Sequence, residues 1–327
     1  MAVPCLLVGD IGGTNARFAL ADAKNPGFSH EKTYQCADFA SADQAIGAYL
    51  KQTNANNPKA ICIAAAGPIV DDVVRFTNNS WRIETSDLRN KFDTAGVRLL
   101  NDFEAIAYSI PLLQKSDVVS VGLPRPKNLQ ETDFTLGVLG PGTGLGAAGL
   151  RKRSDQISPV VSEAGHLGFA PETQVQIELL SQLRDRFDRV SDERLVSGPG
   201  LENIYWALGK IRGQKNAQLS AAEIFSAASK SGDSAASESV QLFFEILGQV
   251  AGNLALSLGA ADGVYIAGGI VKRNPKLIAN SRFRTGFERK GRYRSLMENI
   301  PTQVILHPQP GLLGASYCAI EIMEGNM

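Results

Sequence analysis

The sequence is short of cysteine, of excess charge and of long apolar runs. Its 327 residues include four cysteines without metal-site spacing, a usage that suits a reducing cytoplasm. Basic and acidic residues balance at 33 each, so nothing in the composition favours nucleic acid or a membrane surface as a partner. No stretch approaches the roughly 18 apolar residues of a membrane span, and the first residues lack the pattern of a signal peptide. We therefore expect a globular cytoplasmic protein.

Several common active-site motifs are also missing. The sequence contains no G-x-x-x-x-G-K-[ST], no G-x-S-x-G and no H-E-x-x-H, which excludes a P-loop and the usual hydrolase and zinc-protease signatures. Gly142–Ala147 fits G-x-G-x-x-A, but Gly149, a charged cluster and Pro159 follow it. A dinucleotide-binding loop requires an amphipathic helix at that point, so this interpretation fails.

Two glycine-rich turns are the most prominent features that remain. The stretch Cys5–Leu20 reads CLLVGDIGGTNARFAL, with Gly12, Gly13, Thr14 and Asn15 between two apolar runs. The stretch Thr135–Leu150 reads TLGVLGPGTGLGAAGL and repeats the arrangement with Gly142, Thr143 and Gly144. Each pattern predicts a β-hairpin whose glycines permit positive φ and whose amides bind an anion. One such turn is equally consistent with an ordinary hairpin, whereas two indicate related domains acting on one polyphosphate.

The alternation of predicted strands and helices is typical of an α/β protein. The turn-rich stretch Ser116–Asp133 predicts the passage into a second domain, and the closing helix Gly311–Met323 predicts a return to the first. We expect a small α/β domain of residues 1–112 plus 307–327 and a large α/β domain of residues 113–306. The longest predicted helix, Ser237–Leu258, has an apolar stripe that is interpreted as core.

Asn101 and Asp102 follow the predicted strand Val97–Leu100. Ligands bind at the carboxyl ends of strands in α/β sheets. A carboxylate there is suited to accept the proton of an alcohol that attacks a phosphorus centre. The alternative is that Asp102 only caps the helix that begins at Phe103. Asp10 lies at the mouth of the first hairpin, where a carboxylate is suited to hold hydrated Mg²⁺.

Two further stretches have competing interpretations. Glu163 and His166 have the E-x-x-H spacing of carboxylate-bridged metal sites, but Gly165 and Gly168 predict a loop and no second copy exists. His166 is then either a core histidine bonded to backbone or a group that reaches a small-molecule hydroxyl. The range Arg282–Arg294 holds six basic residues among aromatics, and we interpret it as a solvated helix face rather than a nucleic-acid site.

The motifs together resemble those of the actin, hexokinase and Hsp70 ATPase superfamily. The two hairpins correspond to its phosphate motifs, Val264–Gly269 to its adenosine motif and Gly311–Ala315 to its closing connective motif. The order and spacing of these motifs cover nearly the whole chain. The resemblance implies a ribonuclease H-like, two-domain actin-like ATPase fold, with the sugar and MgATP in an interdomain cleft.

Within this superfamily the sequence resembles the ATP-dependent glucokinases of the proteobacterial type. Four stretches carry the resemblance: Phe76–Trp81, Leu100–Ala105, Ser162–His166 and Glu193–Gly200. The resemblance implies transfer of the ATP γ-phosphoryl group to the 6-hydroxyl of glucose, with Asp102 as general base. It assigns sugar binding to Asn101, Asp102, Glu163, His166 and Glu193. It assigns ATP binding to Asp10, Gly12, Gly13, Thr14, Asn15, Gly142, Thr143, Gly144, Gly268 and Gly269, with Asp10 positioning Mg²⁺ through water.

The resemblance also implies a homodimer, and it leaves two alternatives open. One is a kinase for another hexose or an amino sugar, and the other is a catalytically silent sugar sensor on the same scaffold. The intact Asp102 and both hairpins argue against the sensor. The related ROK group carries a cysteine-rich zinc site after its E-x-G-H segment, but no cysteine lies between Cys62 and Cys318. No helix-turn-helix precedes the first hairpin, so a repressor is not expected.

Overall fold

The structure is a computed structural model that describes residues 5–76, 79–154, 156–214, 218–230 and 234–326. Its strands are β1 (Leu6–Ile11), β2 (Asn15–Ala21), β3 (Phe28–Gln35), β4 (Ala60–Ala65), β5 (Ile69–Val70), β6 (Val73–Arg75), β7 (Arg82–Glu84), β8 (Gly96–Asn101), β9 (Val118–Val121), β10 (Phe134–Pro141), β11 (Leu145–Arg153), β12 (Gln156–Ser162), β13 (Gly263–Ile266) and β14 (Thr302–Ile305). Its α-helices are α1 (Ala42–Gln52), α2 (Thr85–Phe92), α3 (Asp102–Ser109), α4 (Gln174–Arg184), α5 (Gly198–Ile211), α6 (Ala221–Ser229), α7 (Ser234–Leu258), α8 (Gly269–Arg273), α9 (Pro275–Ala279), α10 (Phe283–Glu288), α11 (Arg294–Glu298) and α12 (Pro310–Glu324). The predicted α/β class is confirmed.

The chain forms two compact units. Unit 1 comprises Met1–Gln114 and His307–Met327, and unit 2 comprises Lys115–Leu306. The sequence-based boundary after residue 112 lies close to this division, and the assignment of functional domains to the two units stays a prediction.

Unit 1 is built on a sheet with the strand order β3-β2-β1-β4-β8. Strands β1 and β2 form the predicted antiparallel hairpin, while β1, β4 and β8 run parallel. Every residue of β4 is buried, as is usual for a parallel strand in a sheet that is covered by helices. Helix α12 packs against α3, β1 and β4, so the last segment of the chain belongs to unit 1, as the sequence predicts. A small second sheet has the order β5-β6-β7.

Unit 2 is built on a sheet with the order β12-β11-β10-β13-β14-β9. Strands β10 and β11 form the second predicted hairpin, and β10, β13 and β14 run parallel. Helix α7 fills the core of this unit with a stripe of buried side chains that includes Phe243, Phe244 and Leu247. Its length and apolarity alone meet the criteria for a membrane span, but 83% of its most apolar window is buried inside the protein. Burial of that kind identifies a core helix.

Apart from the edge strand β9 of unit 2, the two sheets share one connectivity. Each has three consecutive antiparallel strands, then a strand parallel to the first of them after intervening helical segments, and then a further parallel strand. The repetition that the two glycine-rich turns suggest in the sequence is therefore a repetition of the sheets themselves.

The stretch Ser116–Asp133 contains a strand that the sequence analysis missed. Strand β9 pairs antiparallel with β14 at the edge of the sheet of unit 2. It is only four residues long, and the prolines that suggested turns follow it. An edge strand of that length has too few alternating positions to produce a pattern.

The Gly198-Pro199-Gly200 segment forms the first turn of α5. Ser197 is the N-cap, and its hydroxyl accepts a hydrogen bond from the Gly200 amide at 3.0 Å. Proline is tolerated in the first turn because its missing N–H would have no helical partner there. At α1, Ser41 occupies the N-cap position, and its side chain makes no capping hydrogen bond with a described residue.

The interpretation of the basic range Arg282–Arg294 as a solvated helix face is wrong. Most of its cations form ion pairs with carboxylates, and two of them are largely buried, with side-chain exposures of 14% for Arg284 and 6% for Lys290. Arg282 and Arg289 both contact Glu245 of α7. The charges therefore attach α10 and the residues after it to α7.

Candidate active site

The first hairpin presents unpaired backbone amides. Gly12 donates to the Asn15 carbonyl at 2.9 Å and closes the turn between β1 and β2. The carbonyl groups of Gly12 and Gly13 already have a donor, because Asn79 Nδ2 lies 3.4 Å from Gly12 O and 3.3 Å from Gly13 O. Among the described residues, the Gly13 and Thr14 amides find no acceptor. Amides held in this way are suited to an anionic ligand.

The second hairpin repeats this arrangement. Gly142 donates to the Gly144 carbonyl at 2.8 Å, and the Gly198 amide donates to the Gly142 carbonyl at 2.9 Å. The Thr143 and Gly144 amides find no acceptor within the described part of the chain. None of Gly12, Gly13, Gly142 and Gly144 has positive φ, so the conformation of the two turns does not depend on the positive φ that glycine permits.

Asp10 lies in β1 at the entrance of the first hairpin. Its carboxylate is 26% exposed and 3.6 Å from Nη1 of Arg17. Burial raises the pKa of Asp10 above its ordinary value, the Arg17 charge opposes the rise, and Glu31 adds to it. Mg²⁺ in nucleotide sites uses one or two carboxylates together with substrate phosphates. The single carboxylate of Asp10 fits that pattern, and no cluster of three or more metal-ligating side chains occurs among the described residues.

Asn101 and Asp102 lie at the junction of β8 and α3. Asn101 is the N-cap of α3, and its side-chain oxygen accepts the Phe103 amide at 2.9 Å. Glu104 completes a capping box by accepting the Asn101 amide at 3.2 Å, and Arg98 lies 3.1 Å from Glu104. The N-cap is therefore Asn101, and Oδ1 of Asp102 also accepts the Phe103 amide at 2.9 Å.

The capping box restricts what Asn101 offers a ligand. Its side-chain oxygen is engaged by the helix, so its amide NH₂ group remains as the donor. Burial raises the pKa of Glu104, and Arg98 opposes that rise. Glu104 is the residue that fixes Asn101 and Asp102, and the sequence analysis gave it no role. The N-x-x-E spacing of Asn101 and Glu104 is the signal that identifies it.

A short 3-10 turn, Ala164–His166, follows β12. Glu163 directly precedes this turn, and His166 is its last residue. Both side chains are exposed, so the alternative that His166 is a core histidine is wrong. The His166 carbonyl accepts Nη1 of Arg189 at 2.8 Å, and a bridge between Gly168 and Ser191 ties the turn to the segment before Glu193. These links hold the Glu163 and Glu193 segments of unit 2 side by side.

Glu193 contacts the second hairpin directly. Its Oε2 accepts the Leu145 amide at 2.9 Å, and a Cβ on Gly144 would overlap that same oxygen. The structure therefore brings the predicted sugar residue Glu193 to the predicted phosphate loop, which the sequence spacing of nearly fifty residues did not indicate.

A cavity of about 770 Å³ lies beside the second hairpin in unit 2. Its wall includes Gly142, Thr143 and Gly269, which the sequence assigns to the nucleotide. It also includes residues that sequence reasoning missed, from α5, α6 and α8: Glu202, Ser220, Phe225, Arg273 and Asn274. A volume of this size is typical of small-molecule sites. Gly268 has φ +94° and a Cβ on it would press against the Pro141 carbonyl, so the local backbone itself favours glycine at this position.

A second cavity, of about 330 Å³, lies behind the Glu163 turn and is lined mainly by apolar side chains of β10, β11 and α7. Asp192 also lines it and is 5% exposed. Burial raises the pKa of Asp192 to about 7, and the charges of Lys290 and Arg189 oppose the rise. This carboxyl group therefore titrates near neutral pH.

Not every quoted stretch is described. In Phe76–Trp81, Thr77 and Asn78 lie outside the described residues, whereas Asn79 supports the first hairpin and Trp81 Nε1 donates to the Phe39 carbonyl at 3.0 Å.

Comparisons with known proteins identify relatives of this chain. A family model named Glucokinase matches residues 7–322. The chain is 42% identical over 312 residues to a glucokinase of Caulobacter sp. (strain K31), covering 95% of this chain and 93% of that protein. It is 40% identical over 321 residues to a glucokinase of Xanthomonas campestris pv. campestris (strain B100), covering 97% and 95%. The crystal structure of a glucokinase from an Antarctic psychrotroph is similar, with a TM-score of 0.89, 33% identity and coverage of 97% and 99%.

The repeated sheets, each with its glycine-rich hairpin, define the class: a two-domain actin-like ATPase fold of the kind found in sugar kinases. The family match over most of the chain and the two curated relatives define the group within that class. The chain belongs to the glucokinase family.

Proposed function

We propose that this protein is an ATP-dependent glucokinase, which converts glucose and ATP to glucose 6-phosphate and ADP. The observation that carries the proposal is the junction of β8 and α3, where a capping box with the buried Glu104 holds Asn101 beside Asp102. In phosphoryl transfer to a hydroxyl, catalysis depends on a positioned base and on electrostatic support for the phosphates. This chain has a candidate for the first in Asp102 and for the second in its two hairpins.

Asp102 acts as the general base in this proposal. The glucose 6-hydroxyl oxygen attacks the γ-phosphorus and forms a new P–O bond, while the bond between that phosphorus and the β,γ-bridging oxygen breaks. The hydroxyl proton passes to Asp102 and the leaving group is ADP. One carboxylate oxygen of Asp102 accepts the Phe103 amide, which orients the group at the start of α3 for the proton transfer.

The amides of Gly13, Thr14, Thr143 and Gly144 bind the phosphates, since they have no acceptor among the described residues. The adenosine occupies the 770 Å³ cavity, with Gly268 and Gly269 at its edge. Asp10 would hold Mg²⁺ through water, together with the phosphate oxygens. When bound, Mg²⁺ supplies charge neutralisation at the transferring phosphoryl group. Asn15, at the start of β2, is assigned to the same site in this proposal.

The sugar hydroxyls are held by charged and amide groups. Asn101 donates through its NH₂ group, His166 offers an exposed imidazole, and Glu163 and Glu193 accept hydrogen bonds from sugar hydroxyls. Hydrogen bonds to ionised groups are stronger than neutral ones, and a site that pairs a hydroxyl rejects sugars that lack it. The protein functions in the cytoplasm as a homodimer in this proposal.

A coupled assay for ADP release with MgATP and a panel of hexoses tests the proposal. We expect release with glucose, and none when Mg²⁺ or the sugar is omitted. Release only with mannose or N-acetylglucosamine would assign the protein to another sugar. Sugar binding by calorimetry without any release would identify a sensor and overturn the proposal.

A further inference from the structure

Leu145 is the first residue of β11, directly after the turn of the second hairpin. It contacts both segments of unit 2 that are assigned to the sugar. Its amide donates to Oε2 of Glu193 at 2.9 Å. Its carbonyl oxygen lies so close to Gly165 that a Cβ there would overlap it. The strand that leaves the phosphate loop therefore begins between the Glu163 turn and Glu193.

The Glu193 segment also holds the beginning of the loop. The Gly198 amide donates to the Gly142 carbonyl at 2.9 Å. Ser197 connects the two contacts, because its hydroxyl donates to the Glu193 carbonyl at 2.8 Å and accepts the Gly200 amide at 3.0 Å. Residues 193–198 thus bind the turn of the hairpin on both sides, at Gly142 and at Leu145.

The loop sequence is adapted to the approach of Glu193. A Cβ on Gly144 would collide with Oε2 of Glu193, whereas a Cβ on Gly142 would meet nothing within 4 Å. Glycine at 144 leaves room for the carboxylate in its observed position and is not needed for a special φ, since Gly144 is not among the positive-φ residues. The carboxylate is therefore part of the wall of the phosphate loop.

Glu193 has capacity for a second partner. An ionised carboxylate has two oxygens and about four acceptor positions, and Oε1 accepts no hydrogen bond from a residue that the structure describes. A hydroxyl bound at Oε1 would share one rigid group with the Leu145 amide. Because charge-assisted hydrogen bonds are strong and directional, a ligand on one oxygen restricts the orientation of the other.

We propose that Glu193 is a positioning residue that couples the hexose to the nucleotide phosphates by fixing the Leu145 amide and, through it, the Thr143 and Gly144 amides. The coupling rests on the proposed function, because it assigns the hexose hydroxyl to Glu193. Coupling between two ligands is reciprocal, so glucose raises the affinity for the nucleotide and the nucleotide raises the affinity for glucose by the same factor.

The first arm of the test needs no sugar. Calorimetry measures the affinity for Mg²⁺ and the ATP analogue AMPPNP in the wild type and in Glu193→Ala, Glu193→Gln and Asp188→Asn, a carboxylate-to-amide control at an exposed position. We expect Glu193→Ala to weaken AMPPNP binding by about five- to tenfold, because the Leu145 amide loses its acceptor. Glu193→Gln restores most of this affinity through its amide oxygen, and Asp188→Asn matches the wild type. Wild-type AMPPNP affinity in folded Glu193→Ala would overturn the proposal.

The second arm repeats the titrations at saturating glucose. We expect glucose to tighten AMPPNP binding about fivefold or more in the wild type and in Asp188→Asn, a range typical of coupled sites, and not to tighten it in Glu193→Gln. Tightening that persists in Glu193→Gln, or that is absent from the wild type, would overturn the coupling. Absence of glucose turnover in the wild type would instead refute the glucokinase assignment, and the first arm would still decide whether Glu193 positions the loop.

Discussion

The two hairpins share a fold and differ in how they are held. Each joins two antiparallel strands, and each first strand continues the sheet through a parallel neighbour. The first hairpin is held through its carbonyl groups, by Asn79 at Gly12 and Gly13 and by the Cys36 amide, 2.8 Å from the Thr14 carbonyl. The second is held through a carbonyl at Gly142 and also through an amide, which donates to the Glu193 carboxylate.

This difference separates a fixed support from one that responds to a ligand. An asparagine amide that donates to two carbonyls forms a neutral contact, and its oxygen is engaged by the Trp81 amide at 2.8 Å. A carboxylate carries charge and spare acceptor positions, so it is suited to bind a second partner. We infer that the hairpin of unit 1 is a constant part of the phosphate site and that the hairpin of unit 2 adjusts to the sugar.

The largest expected effect separates catalysis in unit 1 from recognition in unit 2. We expect Asp102→Asn to lower kcat by about 10²- to 10⁴-fold, the usual contribution of a general base, with little change in glucose affinity. Glu163→Gln, a carboxylate change in unit 2, should mainly raise KM for glucose. Steady-state kinetics with calorimetry for glucose checks both variants. A near-normal kcat in Asp102→Asn would remove that residue from its role.

Asp192, beside Glu193, makes the stability of the protein depend on pH. Its folded-state pKa of about 7 lies above the unfolded value of about 3.9, so the folded state binds the proton more tightly. This contribution to stability is complete below pH 4 and is lost as the pH rises through 7. Three pKa units correspond to about 4 kcal/mol as an upper bound.

Thermal unfolding of Asp192→Asn from pH 5 to pH 8 tests that assignment. Because the amide does not titrate, the variant should gain stability relative to the wild type as the pH rises across this range. Asp188→Asn, at an exposed position four residues earlier, is the matched control and should track the wild type. A Tm difference between Asp192→Asn and the wild type that is constant with pH would contradict the raised pKa.

Alanine at the corresponding glycines of the two hairpins compares their walls. We expect Gly144→Ala to lower the free energy of unfolding by about 1–3 kcal/mol, because Glu193 must move and the buried Leu145 amide loses its acceptor. Gly12→Ala should cost less than about 0.5 kcal/mol, as is usual away from such features, since the nearest atom to its Cβ is the Asn15 carbonyl oxygen at 3.8 Å. Equal losses in denaturant unfolding would refute the distinction.

The smallest effect is expected at the fixed support of the first hairpin. Asn79→Ala removes the donor to two carbonyls, which are long contacts at 3.3 and 3.4 Å, and leaves the Trp81 amide unpaired. We predict a loss of about 1 kcal/mol, the usual net value of such hydrogen bonds, seen as a fall in Tm of a few degrees. The effect on AMPPNP affinity should be the same with and without glucose. A glucose-dependent effect would mean that both hairpins respond to the sugar.

The sequence predicted the features that depend on local pattern. The apolar runs into Gly12 and Gly142 predicted both hairpins, and the alternation of Val97–Leu100 with the helix after Asp102 located the β8–α3 junction. The pairing of Glu193 with the Leu145 amide was not predictable, because it joins residues far apart in the chain and depends on how the Glu163 turn lies against β11. The ion pairs that Arg282 and Arg289 form with Glu245 were not predictable for the same reason, because the sequence does not show which carboxylate a basic side chain contacts.

The most direct test of the account is phosphorus NMR of a reaction containing the wild-type protein, MgATP and glucose. The account predicts one sugar phosphate ester, with coupling to the two protons on C6 of glucose, that appears together with ADP in equal amounts and requires both substrates. Inorganic phosphate as the main product, or an ester at another hydroxyl, would contradict the assignment of Asp102 as the base that directs the γ-phosphoryl group to the 6-hydroxyl.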